Sequence, residues 1–271
     1  MFDAKQQEQF APSVGQTHNS YKQKAKTMVG EQGRKYGIFG SDTIIPFFHA
    51  GEVEVRSPSW DYASTVMAKS APDLRDFGLG FYTCLDDVYP LKLASAKETL
   101  VLSEYVANLE GLSYVKLELD LEWLLSIGFH RRDLNSRKWS HVLRDRCRKW
   151  LSACDVVIGV ISNDKTYDTI EDFLDNGLSA EAAIAMVDAA DYGKQYVFKS
   201  QTACDRLRDG FKKSTAFSKE QKDEYRNAFL SERPTYDDKA EDIRMSWLRR
   251  GGGTFFKDII EEGLFDGRVR F

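Results

Sequence analysis

The chain has 271 residues, 42% hydrophobic and 13% aromatic, enough to fill one large domain or one domain with an appendage. Its 38 lysines and arginines nearly balance 42 aspartates and glutamates, giving a net charge of -4. That balance argues against a uniformly basic surface for nucleic acid and leaves room for a local patch alone.

Residues 1–40 are polar and rich in Gln, Lys, Ser and Gly, the composition of a flexible segment, with a short helix expected near Tyr21–Val29. Thr43–Phe48 reads as a first strand ending at His49-Ala50-Gly51, and Pro58, Ser59 and Pro72 mark the loop that follows. Asp86–Leu109 has helical spacing through Leu91, Ala94, Leu100, Val101, Tyr105 and Leu109, with Gly111 as its stop. Tyr114–Leu119 alternates like a strand, and Ser136–Ser152 reads as an amphipathic helix. Asp155–Ser162 is the clearest buried strand.

Short helices are expected at Asp168–Leu174, with Asp168 and Glu171 as a capping-box-like pair, and at Ala180–Ala189. Gln195–Lys199 reads as a strand and Thr202–Phe211 as a helix. Ser218 and Gln221 open a charged helix to Ser231, which Pro234 breaks. Glu241–Arg250 and Phe255–Leu264 read as helices separated by Gly251-Gly252-Gly253. The expected organisation is a flexible segment over 1–40, a catalytic domain over 41–211 and a helical extension over 212–271.

Cys84, Cys147, Cys154 and Cys204 form no C-x-x-C pair, and the four histidines share no metal-ligand spacing with them. Free thiols in a reducing cytoplasm are expected, and no metal. No apolar run reaches the length of a membrane span, and the N-terminus lacks a signal-peptide core. A cytoplasmic location follows as the expectation, with export to a host cell by an unmarked route left open. The basic run from Arg131 to Lys149 reads as a solvated helix face, with phosphate or nucleic-acid binding as the alternative.

The richest stretch is Asp76-Phe77-Gly78-Leu79-Gly80-Phe81-Tyr82-Thr83. Two glycines in five residues let a ligand or second backbone approach closely, and a tyrosine just behind them can offer its ring to a flat ligand. Asp76 is expected to cap the turn at Gly78.

This motif, Phe47-Phe48-His49-Ala50-Gly51 before it and Lys194-Gln195-Tyr196-Val197-Phe198 after it resemble the ADP-ribosyltransferase-like superfamily. Within that superfamily they resemble an uncharacterised bacterial branch, a domain of unknown function carrying D-F-G-x-G-F-Y. Asp155–Thr166 also matches that branch, and the resemblance spans roughly Ile45 to Leu207. It implies an α+β fold, a split β-sheet forming a cleft among helices, with NAD as co-substrate. His49 would bond the nicotinamide ribose, the backbone of Ala50 would clamp the carboxamide, Tyr82 would stack on the ring and Gln195 would contact the ribose. Gly51, Gly80 and Phe81 would line the site, and Asn163 and Asp164 could reach it.

Many relatives place a glutamate where Gln195 aligns, so another acid, for example Asp164, Asp168 or one supplied by the substrate, would support the chemistry, or the activity would be slow and limited to single transfers. The implied activity is transfer of ADP-ribose to a protein or nucleic acid by a toxin, effector or phage-defence protein, with an antitoxin-like inhibitor as partner. The alternatives are an inactive NAD- or ADP-ribose-binding scaffold, an NAD glycohydrolase, and a phosphate transfer from RNA to NAD.

Overall fold

A computed structural model describes residues 36–61, 75–131, 154–162 and 164–262. The helices expected at Tyr21–Val29 and Ser136–Ser152, most of the basic run, Cys147 and Asn163 lie outside the described residues.

Among the described residues eight strands form one sheet. They are β1 (Tyr36–Ile38), β2 (Ile44–Gly51), β3 (Phe81–Cys84), β4 (Val101–Asn108), β5 (Ser113–Lys116), β6 (Val156–Val160), β7 (Lys194–Phe198) and β8 (Phe211–Ala216). Their spatial order is β1-β5-β6-β7-β3-β2-β4-β8. Every neighbouring pair is antiparallel except the parallel β5–β6. Seven helices are present among the described residues: α1 (Val88–Ala94), α2 (Leu121–Arg131), α3 (Asp164–Leu174), α4 (Ala180–Asp188), α5 (Gln201–Asp209), α6 (Lys219–Arg250) and α7 (Phe256–Glu262). The architecture is therefore α+β.

The sheet has a seam. β2 and β4 share an eight-residue register from Ile44↔Asn108 to Gly51↔Val101, and β3 matches β7 over four residues. Between β2 and β3 the register holds the single pair Phe48↔Cys84. The expected split sheet is thus one sheet joined at its seam by a minimal contact. The pairs that would follow in that register, His49 with Thr83 and Ala50 with Tyr82, do not form. Instead the Nδ1–H of His49 donates to the Tyr82 carbonyl at 2.8 Å.

The main core lies under β5, β6 and β7, where Trp123, Phe173, Val157, Val197, Phe256 and Ile259 are fully buried. A smaller cluster of Leu91, Leu100 and Leu102 packs with Phe48 and Ala50 on the far side of the seam. β6 is buried along Val156–Gly159, as its unbroken apolar run requires. At Gly159 an added Cβ would sit 2.5 Å from Cζ of Phe77, so the missing side chain is the space into which the motif's phenylalanine inserts.

Six elements differ from the sequence expectation. Tyr36–Ile38 is a strand within the stretch read as flexible. The stretch Asp86–Leu109 is not one helix: α1 ends at Ala94 and Val101–Asn108 is β4. In a strand, Ser103, Tyr105, Ala107 and Leu109 share one face and are all buried, so period 2 fits the stretch better than period 3.6. The helix after β6 opens at Asp164, not Asp168. Helix α2 has no counterpart among the expected elements, because its residues Trp123–Gly128 are all buried and give no amphipathic period. The fifth difference is α6, which runs unbroken for 32 residues through Pro234. Proline removes a single backbone donor there, and the helix is anchored at its start by the Ser218–Gln221 capping box and beyond the proline by Arg244, which donates to Asp172 at 2.6 Å.

Strand β8 falls where the helical extension was expected to begin. Its sequence FKKSTA is polar and mostly exposed, so it forms by pairing with β4 as an edge strand. Three glycines with positive φ, Gly251, Gly252 and Gly253, turn the chain back so that α7 reaches the main core. Glu181 fixes this turn by accepting from the Thr254 N–H at 2.9 Å and the Thr254 hydroxyl at 2.7 Å. No helix among the described residues is long and apolar enough to cross a membrane.

Candidate functional site

The seam opens into a cleft of about 240 Å³. His49 and Ala50 of β2, Tyr82 and Cys84 of β3, Gln195 of β7 and Lys97, which follows α1, all line it. Three side chains singled out in the sequence, His49, Tyr82 and Gln195, are thus brought to one cavity from three strands.

Burial is the largest influence on His49 and lowers its pKa from 6.5 to about 4, with Lys97 and Arg75 pushing the same way and the Tyr82 carbonyl opposing. The ring is therefore neutral at pH 7, protonated on Nδ1, with an acceptor lone pair on Nε2. It stacks at 35° on Phe81, with 4.5 Å between ring centroids. Gly51 leaves space beside Nε2, since an added Cβ would lie 3.3 Å from it.

Tyr82 is held at both ends. Its hydroxyl donates to the Gly78 carbonyl at 2.8 Å and accepts from the Phe77 N–H at 2.9 Å. The Arg75 guanidinium sits over its ring, 5.0 Å from the centroid. Gly80, at φ 155°, lets the motif press against β7, where a Cβ would meet Val197 Cγ1 at 2.5 Å.

Gln195 is buried, at 6% exposure. Its Nε2 donates to Asp76 Oδ2 at 2.6 Å. Asp76 does not cap the Gly78 turn. That turn closes through Gly78 N–H to the Arg75 carbonyl at 3.1 Å and through the Tyr82 hydroxyl. The Asp76 carboxylate instead accepts from the Ser162 N–H at 2.9 Å and lies 3.6 Å from Arg131 Nη1. Asp164 is the first residue of α3, whereas Asp168 lies one turn further along that helix.

Cys84 lines the cleft, but burial pushes its thiol far up, so it is protonated at neutral pH and is no nucleophile. Burial likewise raises Cys154 to about 11 and Cys204 to about 12. Among the described residues no cluster of His, Cys, Asp or Glu could hold a metal ion.

The family described as "Protein of unknown function (DUF3990)" matches residues 45–208, well over half of the chain. The chain belongs to the DUF3990 family. The matched stretch contains all the cleft residues named above. No curated protein matches the sequence. Among solved structures, the chain is similar to one from the "Crystal structure of the M.tuberculosis MbcT-MbcA toxin-antitoxin complex". The TM-score is 0.36 at 11% identity, covering 68% of this chain and 90% of that one.

Of three charged residues near these side chains, Arg75 and Lys97 were not singled out as ligands in the sequence, and Arg131 was read only as the start of a basic run. Arg75 directly precedes the aspartate of the motif, and its position was the available signal. Lys97 sits in a loop read as mid-helix. Arg131 ends a helix whose apolar sequence hides its period.

Proposed function

We propose that this protein is an NAD-dependent ADP-ribosyltransferase. The observation that carries the reading is the convergence of His49, Tyr82 and Gln195 on the cleft where β2 and β3 part. The nicotinamide ring would lie against Tyr82, whose plane is fixed by its two hydroxyl bonds. The carboxamide would pair with the backbone of Ala50, at the register position where β3 no longer pairs with β2. The neutral His49 would accept a ribose hydroxyl on Nε2, and the Gln195 oxygen would accept another. Lys97 and Arg75 make the cleft electropositive, which suits the pyrophosphate.

The cleft is smaller than the roughly 300–1,000 Å³ of ordinary ligand pockets, so it suits the nicotinamide-ribose half, with the adenylate half outside. In the reaction the bond between nicotinamide nitrogen and ribose C1′ breaks, and its electron pair leaves with nicotinamide. Positive charge builds on the sugar as in glycoside cleavage. A lone pair of the acceptor forms the new bond to C1′, and the acceptor's proton passes to solvent. We take the acceptor to be a macromolecule, and a protein inhibitor over the cleft as the means by which the producing cell is spared. That combination fits a toxin, effector or phage-defence role.

The test uses NAD labelled on its adenylate half, incubated with the full chain in cell extract. Nicotinamide release with label on a macromolecule supports the transferase, and nuclease or protease digestion then identifies the acceptor. Release with free ADP-ribose alone points to a glycohydrolase. NAD binding without release points to a binding module, and neither binding nor release overturns the reading.

A further inference from the structure

The oxygen that Gln195 offers the cleft is not electrically isolated. Its Nε2 faces Asp76 Oδ2 at 2.6 Å and the Val160 carbonyl at 3.5 Å. Both partners can only accept, which fixes the amide with its NH₂ inward. Oε1 then points the other way and takes no hydrogen bond among the described residues, on a side chain that lines the cleft. At 2.6 Å the contact lies just below the range of about 2.7–2.9 Å for charge-assisted N–H···O bonds. Asp76 is itself 6% exposed and is steadied by the Ser162 N–H and by Arg131.

Such a chain of bonds, carboxylate to amide to ligand, polarises each member in turn where water is excluded. We propose that Asp76 is the positioning residue of the site, holding Oε1 of Gln195 toward the nicotinamide ribose and lending that oxygen negative potential. The charge that grows at C1′ as the electron pair departs with nicotinamide is then met by an anion acting through a neutral side chain. This rests on the ADP-ribosyltransferase reading above and adds an acid to it, 119 residues from the glutamine it serves.

The test is steady-state nicotinamide release by the full chain. Asp76→Asn keeps the shape, and its oxygen can still accept from Ser162, but the charge is gone. The expected result is a loss of about a hundredfold in kcat, with KM for NAD within about threefold of wild type. Asp76→Asn/Gln195→Glu returns a charge to the ribose side of the pair and regains at least about tenfold over Asp76→Asn. If Asp76→Asn does not fold, Asp76→Ser, which removes the charge with a smaller polar side chain, is read the same way.

A folded single variant with kcat within about threefold of wild type, or a double variant no better than the single, overturns the inference and leaves the transferase reading standing. A wild-type protein that releases no nicotinamide removes both.

Discussion

The two parts of the sheet that meet at Phe48↔Cys84 are built differently. On one side β5, β6, β7 and β3 rest on the main core with β1 as a mostly exposed edge strand, and missing side chains at Gly159 and Gly80 allow close approach. On the other side β2, β4 and β8 form a long regular ladder that ends in a polar edge strand. One part contributes Tyr82 and Gln195 and the other contributes His49. The difference shows why the cleft is where it is. A continuous ladder would seal the junction with backbone bonds, whereas a single pair and an imidazole hold it together and leave room between.

The contrast breaks most severely at the motif. Phe77→Ala empties the space over Gly159 and is expected to cost about 3–5 kcal/mol in denaturant unfolding. A smaller loss would mean that the five-stranded side does not depend on this contact. Gly80→Ala forces a Cβ toward Val197 at positive φ and is expected to cost about 1–3 kcal/mol by the same measurement.

The seam itself is tested by pH. His49 has a folded-state pKa of about 4 against 6.5 when free, so the unfolded chain takes up its proton first as pH falls. Stability from this group is complete above about pH 6.5 and is lost as pH drops through about 4. His49→Gln should flatten that part of the Tm–pH curve relative to wild type, and an unchanged slope would place the titration elsewhere. The smallest effect is expected at the half-exposed pair between α1 and α6. There Lys92→Ala removes a 2.5 Å contact to Glu232, whose side chain is 58% exposed, and should change stability by about 0–1 kcal/mol with nicotinamide release unaltered.

Much of this arrangement is legible in the sequence where a residue's job is local. The glycines of D-F-G-L-G-F-Y-T signal close approach, and both are found pressed against neighbours, Gly78 on His130 and Gly80 on β7. The run at Val156–Val160 reads as a buried strand because its side chains are buried on both faces. Local signals fail where tertiary pairing decides. Leu100–Leu109 satisfies a helical period by chance and becomes a strand because β2 and β8 flank it. Phe211–Ala216 has no apolar alternation and is a strand through β4 alone. The Asp76–Gln195 bond joins two residues far apart in the chain, so each is visible as a polar residue in a motif while their pairing is not.

The most direct measurement is the structure of the protein crystallised with NAD, or with nicotinamide if NAD is turned over. The nicotinamide ring is expected against Tyr82, its carboxamide on the backbone of Ala50, and for NAD the ribose hydroxyls at His49 Nε2 and Gln195 Oε1. A ligand found away from the seam, or no binding at millimolar concentration, would contradict the proposed site.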